Sequence, residues 1–200
     1  MEKKVKSVTV VIKRNAEKSG KLYNKVALKL IKTCLIPVIT SNTEAWSNMS
    51  NREYESLEKI QKQALYNIFN ISQSAPYIAF LSEIGILPAK KQILIKKINL
   101  YHTLKTSDDK RVAKKVLEQQ EASEKEGSWY VELKNEVMKY DMAEVLEIGK
   151  TKKEVKKKVN ETFKKQIEID LSRAGTKSRF VKQFGEKRYL AELRKSDTKT

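Results

Sequence analysis

Residues 50–69 read SNREYESLEKIQKQALYNIF and predict an amphipathic α-helix. Ser50 and Glu53 have the spacing of a capping box, in which the hydroxyl and the carboxylate each accept a hydrogen bond from the other residue's backbone N–H. The apolar residues that follow keep the three-and-four spacing of one buried face. They are Tyr54, Leu57, Ile60, Ala64, Leu65, Ile68 and Phe69. We therefore expect a helix from Asn51 that contributes to an α-helical core.

Helix signals continue on the C-terminal side of this segment. Pro76 is suited to opening a short helix and Gly85 to ending it, because proline fits a first helical turn and glycine tolerates the left-handed conformation after a last one. Pro88 is suited to opening the next helix. The residues that this helix directs inward are predicted to be Leu94, Ile98 and Tyr101.

A second capping box, Thr151 with Glu154, predicts another helix near the C-terminal end. Its apolar stripe would consist of Val155, Val159, Phe163 and Ile167. The alternating run Val8–Ile12 is too short to demand a strand. The sequence as a whole therefore predicts an all-α fold.

The charge pattern divides the predicted fold along the chain. A helical bundle is expected over residues 1–120, an acidic linker and helix over 121–150, and a looser, basic helical module over 151–200. The boundary between an N-terminal and a C-terminal module is predicted at the acidic stretch Glu118–Glu126, which Gly127 and Ser128 follow.

The chain has 200 residues and a net charge of +17, and 34% of its residues are charged. This excess is larger than solubility requires and indicates a polyanionic partner, either nucleic acid or an acidic membrane surface. The first 50 residues carry +7 and the last 50 carry +9, so the two ends are the basic regions.

The single cysteine, Cys34, cannot form an internal disulfide, which suits a reducing compartment. Its apolar neighbours predict a buried thiol. Nothing from Met1 to Arg14 has the cleavage site of a secretion signal. The longest apolar stretch, Val26–Ile39, contains two lysines and a proline and is too short to span a bilayer. We expect an intracellular chain outside the membrane, with nucleus and cytoplasm both open.

Asp108 and Asp109 are the pair that most invites a catalytic interpretation, because polymerases hold two Mg²⁺ ions with adjacent carboxylates. Ser107, however, is a candidate N-cap, and carboxylates are favoured in the first turn of a helix. Thr106 stands where the polymerase motif has an aromatic residue. We therefore predict that a helix starts at Ser107 and that the two aspartates hold no metal.

His102 is the only histidine and Cys34 the only cysteine, so a zinc site of nitrogen and sulfur ligands cannot be completed within the chain. His102 is predicted to be a partly exposed helix residue. The glycines are scattered and form no phosphate-binding loop. The sequence predicts no catalytic residue, no metal ligand and no cofactor.

A stripe of five lysines is the strongest binding signal in the N-terminal half. It consists of Lys18, Lys21, Lys25, Lys29 and Lys32, spaced 3, 4, 4 and 3 residues apart. On one helix these residues fall within an arc of about 80°. The stripe is either a solvated face or a ladder of ammonium groups that follows a phosphate backbone without reading sequence.

The C-terminal quarter contains a second basic cluster with interleaved aromatic residues, a mixture that could stack unpaired bases. Its candidate binding residues are Lys156, Lys157, Arg179, Lys187, Arg188 and Tyr189. Phe163, Phe180 and Phe184 have helical spacing and are predicted to belong to the core. The lysine-rich run also has two weaker interpretations, a nuclear import signal and a membrane-surface patch.

An ordered series of local motifs runs from Leu22 to Gln120. It comprises Pro37, Glu44 with Trp46, Leu57–Gln61, Ser74–Tyr77, Glu83–Leu87 and the block Tyr101–Gln120. The series resembles the thumb and post-thumb region of a non-LTR (LINE-like) retrotransposon reverse transcriptase, and the resemblance covers roughly residues 5–195. Where this family usually has a Tyr-Gly pair before its Glu-x-Trp, the chain has Ser41 and Asn42.

The resemblance implies a helical region that grips template and primer, followed by a stretch that holds element RNA or target DNA. It places the fingers, the palm and the catalytic aspartates upstream of Met1, so Mg²⁺ is expected only for that polymerase domain. The chain would then be a non-catalytic fragment of an RNA-directed DNA polymerase, with RNA, RNA–DNA hybrid and the upstream reverse-transcriptase domains as partners. The alternative is a helical scaffold or protein-interaction module whose basic surface has no nucleic-acid role.

Overall fold

The computed structural model describes residues 1–147 and 149–173, and every regular element within these ranges is helical. The prediction of an all-α fold is therefore confirmed. The α-helices are α1 (Glu2–Lys18), α2 (Tyr23–Leu30), α3 (Ile36–Ile39), α4 (Asn51–Phe69), α5 (Tyr77–Ile84), α6 (Ala89–Lys105), α7 (Val112–Ser123), α8 (Trp129–Lys139) and α9 (Lys152–Arg173). Short 3₁₀ turns lie at Gly20–Leu22, Thr43–Ala45 and Ala143–Leu146, and a π-helical turn lies at Ile31–Leu35. Among the described helices, none combines the length and the apolar character needed to cross a bilayer.

Both predicted capping boxes are present. At the start of α4, the backbone N–H of Ser50 donates to a Glu53 carboxylate oxygen at 2.7 Å, and the N–H of Glu53 donates to Ser50 Oγ at 3.3 Å. The corresponding distances for Thr151 and Glu154 at the start of α9 are 2.7 and 3.2 Å. These bonds satisfy backbone donors that a helix start leaves unpaired, and they lower the pKa of both glutamates because they favour the charged carboxylate.

The predicted boundaries of α5 and α6 are also confirmed. Pro76 directly precedes α5, and Gly85 ends it in the left-handed region with φ of +62°. α6 follows Pro88 and buries the three residues that were predicted to face inward, Leu94, Ile98 and Tyr101.

We expect the substitution Gly85→Ala to lower the free energy of unfolding by about 1 kcal/mol. An added Cβ would meet no atom within 4 Å, so the loss comes from the left-handed backbone and not from a clash. Equilibrium denaturation in urea measures it. Gly85→Asn is the matched control, because asparagine tolerates this conformation better, and it should lose less. An unchanged stability of Gly85→Ala would contradict the assigned backbone conformation.

The prediction that a helix starts at Ser107 was wrong, because α7 begins at Val112. Ser107 Oγ donates back to a carbonyl of α6 at 2.7 Å, and the Asp108 carboxylate accepts a bond from the backbone N–H two residues on at 2.9 Å. Such local side-chain bonds stabilise a turn in competition with a helix. Asp109 forms an ion pair with Lys114, which lowers the pKa of Asp109.

The chain divides into two compact units, each assembled from separated stretches. Among the described residues, unit 1 contains Met1–Ile39, Leu57–Pro88 and the part of α9 from Phe163, and unit 2 contains Thr40–Ser56 and Ala89–Thr162. The three predicted modules, divided at residues 120 and 150, are each one continuous stretch of sequence. Units 1 and 2 are each assembled from separated stretches.

In unit 1, α1 packs against α2, the π turn and α3. The buried residues of α1 are Val5, Thr9, Ile12 and Ala16. α4 and α5 add an aromatic cluster in which the Tyr66 ring meets the rings of Tyr77 and Phe80 edge-on. The Tyr66 hydroxyl donates to the carbonyl of Ala75 at 2.6 Å, so the cluster also fixes the connection between the two helices.

In unit 2, α6 is the central helix and contacts α7, α8 and two of the 3₁₀ turns, Thr43–Ala45 and Ala143–Leu146. The Tyr101 hydroxyl on α6 donates to Glu121 on α7 at 3.1 Å. The Tyr101 ring stacks on Tyr130 of α8. Polar and aromatic contacts of α6 therefore join the three helices in addition to their apolar packing.

Candidate nucleic-acid interface

The five lysines of the predicted stripe are all exposed in unit 1, and we call them the basic surface: Lys18, Lys21, Lys25, Lys29 and Lys32. The expectation that one helix carries them was wrong. α1 ends at Lys18, Gly20 has a positive φ of +53°, and α2 begins at Tyr23. Lys21 lies in the 3₁₀ turn between the two helices. Because α1 and α2 pack against each other, the lysines follow a turn of the chain and then the helical segment after it.

The π turn at Ile31–Leu35 decides which residues lie beneath the basic surface. The buried residues are Ala27, Ile31, Leu35 and Ile39, each four positions after the last. In an α-helix this spacing drifts by about 40° per step, and a wider π turn offsets the drift. Cys34 is consequently exposed, so the prediction of a buried thiol was wrong.

Two side-chain hydrogen bonds fix the α1–α2 segment to the end of α4. The Tyr23 hydroxyl donates to the carbonyl of Ile68, and its partial burial raises the pKa of Tyr23. Lys13 Nζ donates to Asn70 Oδ1 at 2.8 Å. The basic surface therefore belongs to a segment whose position is fixed by packing and by polar contacts.

The electrostatic surroundings of the basic surface are strongly positive. Between Met1 and Ile39 there are ten lysines and arginines but only two acidic residues, Glu2 and Glu17. Glu2 forms an exposed ion pair with Lys6 at 2.9 Å. Such an excess attracts a polyanion and speeds its association.

Aromatic side chains in the described part of unit 1 are buried or half-buried, and none is classed as exposed. Tyr66, Tyr77 and Phe80 use their ring edges and faces within the core cluster. The basic surface can thus offer charge and hydrogen-bond donors to phosphates, while stacking platforms for bases are absent from this described region. This favours backbone contact over recognition of unpaired bases.

The C-terminal cluster is described only in part. Lys156 and Lys157 are exposed on α9 and belong to unit 2, whereas the basic surface belongs to unit 1. Phe163 is buried, as predicted for a core residue. The remaining predicted binding residues lie outside the described residues: Arg179, Lys187, Arg188 and Tyr189, together with the predicted core pair Phe180 and Phe184.

Sequence reasoning missed a buried cluster of charges between α6 and α8. Lys91 and Lys97 of α6 are buried, and Glu136 of α8 has a buried carboxylate oxygen without a hydrogen-bond partner. A signal was present, because Lys91 stands three residues before Leu94 and therefore continues the three-and-four spacing of the buried face of α6.

An apolar groove in unit 2 also escaped the sequence analysis. It has a volume of about 310 Å³ between α6, α7 and α8. Leu100, Leu104 and Val116 line it, and Val116 is 45% exposed. Trp129, another lining residue, is held by a hydrogen bond from its Nε1 to the carbonyl of Glu44 at 2.8 Å.

His102 is half-buried on α6, as predicted, and its Nε2 lies 2.8 Å from the carbonyl of Val145. Across the described ranges there is no group of three or more His, Cys, Asp or Glu side chains that could hold a metal ion. Fold and surface together define an all-α protein with an exposed basic face. Comparison with protein-family models, curated proteins and solved structures finds no match to this chain.

Proposed function

We propose that this chain binds RNA or an RNA–DNA template-primer without sequence preference, as the non-catalytic, thumb-like part of a reverse transcriptase of the non-LTR retrotransposon type. The observation that carries the proposal is the basic surface, in which five lysines within 15 residues are all exposed on a packed segment. The ordered motifs between Leu22 and Gln120 supply the resemblance to the reverse-transcriptase family.

The physical role of the basic surface is to neutralise phosphates. Each ammonium group that approaches the backbone releases condensed counterions, so affinity falls as the salt concentration rises. Such contacts position a nucleic acid and carry no sequence information. Lys156 and Lys157, with the basic residues after Arg173, form the proposed second anchor.

We expect the joint replacement of Lys21, Lys25, Lys29 and Lys32 by glutamine to flatten the dependence of log affinity on log salt by about 3. Each lost phosphate contact removes about 0.7–0.9 from that slope. Fluorescence anisotropy with a hairpin RNA and an RNA–DNA hybrid, at several salt concentrations, measures it. Circular dichroism should show unchanged helix content, because all four side chains are exposed.

The matched control replaces four exposed cations of unit 2 by glutamine and makes the same change in net charge. These cations are Lys110, Arg111, Lys115 and Lys125. The control should retain most of the wild-type slope. Equal slopes for the two variants would show that net charge alone drives binding, and an unchanged slope in the first variant would remove the basic surface from the interface.

A helical scaffold or protein-interaction module is the second candidate, and the apolar groove of unit 2 favours it. Leu100, Leu104 and Val116 present a surface that a phosphate backbone does not complement. Failure to bind either nucleic acid at low salt would support this candidate over the first.

A further inference from the structure

Two lysines and a glutamate are withdrawn from water where α6 meets α8 in unit 2. Lys91 is 9% exposed and Lys97 is 2% exposed. Lysine is almost never buried unless it is paired, because an ammonium group is strongly hydrated. Glu136 acts electrostatically on both amines, and its Oε1 is buried with no hydrogen-bond partner. Glu132 acts on Lys97 alone, and both of its carboxylate oxygens accept from the backbone N–H of Asn48 at 2.7 and 2.8 Å. The cluster therefore holds more buried cation than anion.

Aromatic rings form the walls of this cluster. The Lys91 amine lies over the ring of Tyr140, the residue that ends α8. The neighbouring Lys90 amine lies 4.6 Å from the centre of the Tyr54 ring, which is contributed by the N-terminal turn of α4. A ring face attracts a cation, so these contacts recover part of the hydration that burial removes. The contact between Lys91 and Tyr140, at the end of α8, therefore depends on the charge of the Lys91 amine.

The charges that act on the cluster come from α4, α6 and the α8 region. Besides Glu136, the charged and titratable groups that act on the cluster are Lys90 from α6, Glu132, Lys139 and Tyr140 from α8, and Tyr54 and Glu53 from α4. The other elements packed on α6 and α8 carry acidic groups that form separate ion pairs, Glu44–Lys96, Glu121–Lys105 and Glu144–Lys158, together with the exposed Glu118 of α7.

Burial dominates the titration of all three central groups. It lowers the pKa of Lys91 to about 7 and also lowers the pKa of Lys97, while nearby Glu136 acts in the opposite direction on both. Burial raises the pKa of Glu136, against the effect of the surrounding lysines. Burial in the folded cluster therefore disfavours the charged forms of Lys91, Lys97 and Glu136.

We infer that the contact between α6 and α8 is a proton-operated latch, which loosens when the Lys91 amine gains a proton and tightens when it loses one. A proton on Lys91 adds a cation beside the buried Lys97, where Glu136 is the one carboxylate that acts on Lys91, and opening the contact returns that cation to water. The inference is independent of nucleic-acid binding, since it concerns only the packing of unit 2.

The direction of the pH dependence follows from proton linkage. Lys91 has a pKa of about 7 in the closed contact and an ordinary value of 10.5 when exposed. Between these values the open state binds more protons, so the closed contact becomes more stable as the pH rises from 7 to 10.5. Below pH 7 both states carry the proton, and Lys91 contributes no further change. Lys97 acts in the same direction. Glu136, whose folded pKa is raised, contributes stability that is lost as the pH rises through that raised value.

Hydrogen exchange of the full chain, read by mass spectrometry and corrected for the intrinsic effect of pH, tests the latch. In the wild type, the opening equilibrium of α8 should fall about tenfold per pH unit for each released proton from about pH 7 to 9. Lys91→Met keeps an unbranched side chain, one heavy atom shorter, and removes the titrating group. It should protect α8 more strongly at pH 7 and reduce the pH dependence by about one proton.

Lys91→Arg keeps a positive charge at position 91 over the whole range and should leave α8 less protected than in the wild type at pH 9. Lys115→Met, at an exposed position of α7, is the matched control and should behave as the wild type. Amides of α1 in unit 1 report the background dependence on pH. If Lys91→Met keeps the full wild-type pH dependence, or if Lys91→Arg tightens with pH as strongly as the wild type does, Lys91 does not operate a latch.

Discussion

We expect the substitution Ile98→Ala to lower the free energy of unfolding by about 2–5 kcal/mol. Ile98 is fully buried on α6, the helix that contacts α7, α8 and two 3₁₀ turns of unit 2. Truncation removes apolar contacts and leaves a cavity that the surrounding helices fill only in part. Equilibrium unfolding in urea, followed by circular dichroism, measures the loss as a shift of the midpoint at constant slope.

Ile78→Ala is the control for this prediction, because Ile78 is an exposed isoleucine on α5. Its stability should stay within about 0.5 kcal/mol of the wild type. Similar losses at the two positions would contradict the placement of Ile98 in the core. Under conditions where Ile98→Ala is fully folded, its salt slope for RNA binding should equal that of the wild type, since no lysine of the basic surface has changed.

Helix starts were predictable wherever the signal and its partner lie within one turn of the chain. The capping box of Ser50 and Glu53 needs no tertiary context, because both bonds form between residues three apart. The same holds for the left-handed end of α5 at Gly85. These local rules placed α4, α5, α6 and α9 and sufficed for the fold class.

Local reasoning failed where two local structures compete. Ser107 satisfies the residue preference of an N-cap, yet its hydroxyl bonds backward to α6 and the Asp108 carboxylate forms a turn of its own. The lysine stripe failed for a related reason. A helical wheel assumes a regular α-helix, whereas Gly20 interrupts the chain and the π turn at Ile31–Leu35 alters the phase. The five lysines are exposed despite the interruption at Gly20 and the π turn, and their role in binding stays a prediction.

Neither the burial of the charged cluster nor the composition of the two units could be predicted from the sequence, because both depend on residues far apart in the chain. Lys91 continues the apolar spacing of α6, but lysine at such a position usually extends its amine to water. Its surroundings include Glu136 of α8 and the ring of Tyr140 directly after α8, and both residues lie more than 40 positions later in the sequence. The units likewise join stretches such as Met1–Ile39 and Leu57–Pro88, which no change of composition marks.

We expect Tyr66→Ala to lower the free energy of unfolding by about 3–5 kcal/mol and Tyr66→Phe by only about 1 kcal/mol. The first change removes a fully buried ring that meets Tyr77 and Phe80 edge-on with centroid distances of 6.2 and 5.5 Å. The second keeps the ring and removes only the hydroxyl that donates to the carbonyl of Ala75. Urea unfolding of the two variants in parallel separates ring packing from the hydrogen bond.

The ratio of the stability losses in Tyr66→Ala and Tyr66→Phe shows whether the ring or the hydroxyl of Tyr66 holds the connection between α4 and α5 in place. If the ring dominates, Tyr66→Phe keeps the aromatic cluster, and the unpaired carbonyl of Ala75 costs no more than one hydrogen bond. Equal losses in the two variants would instead make the hydroxyl the main support of residues 70–76. In that case the segment should exchange its amides faster in Tyr66→Phe, while the exchange of α7, which belongs to unit 2, stays unchanged.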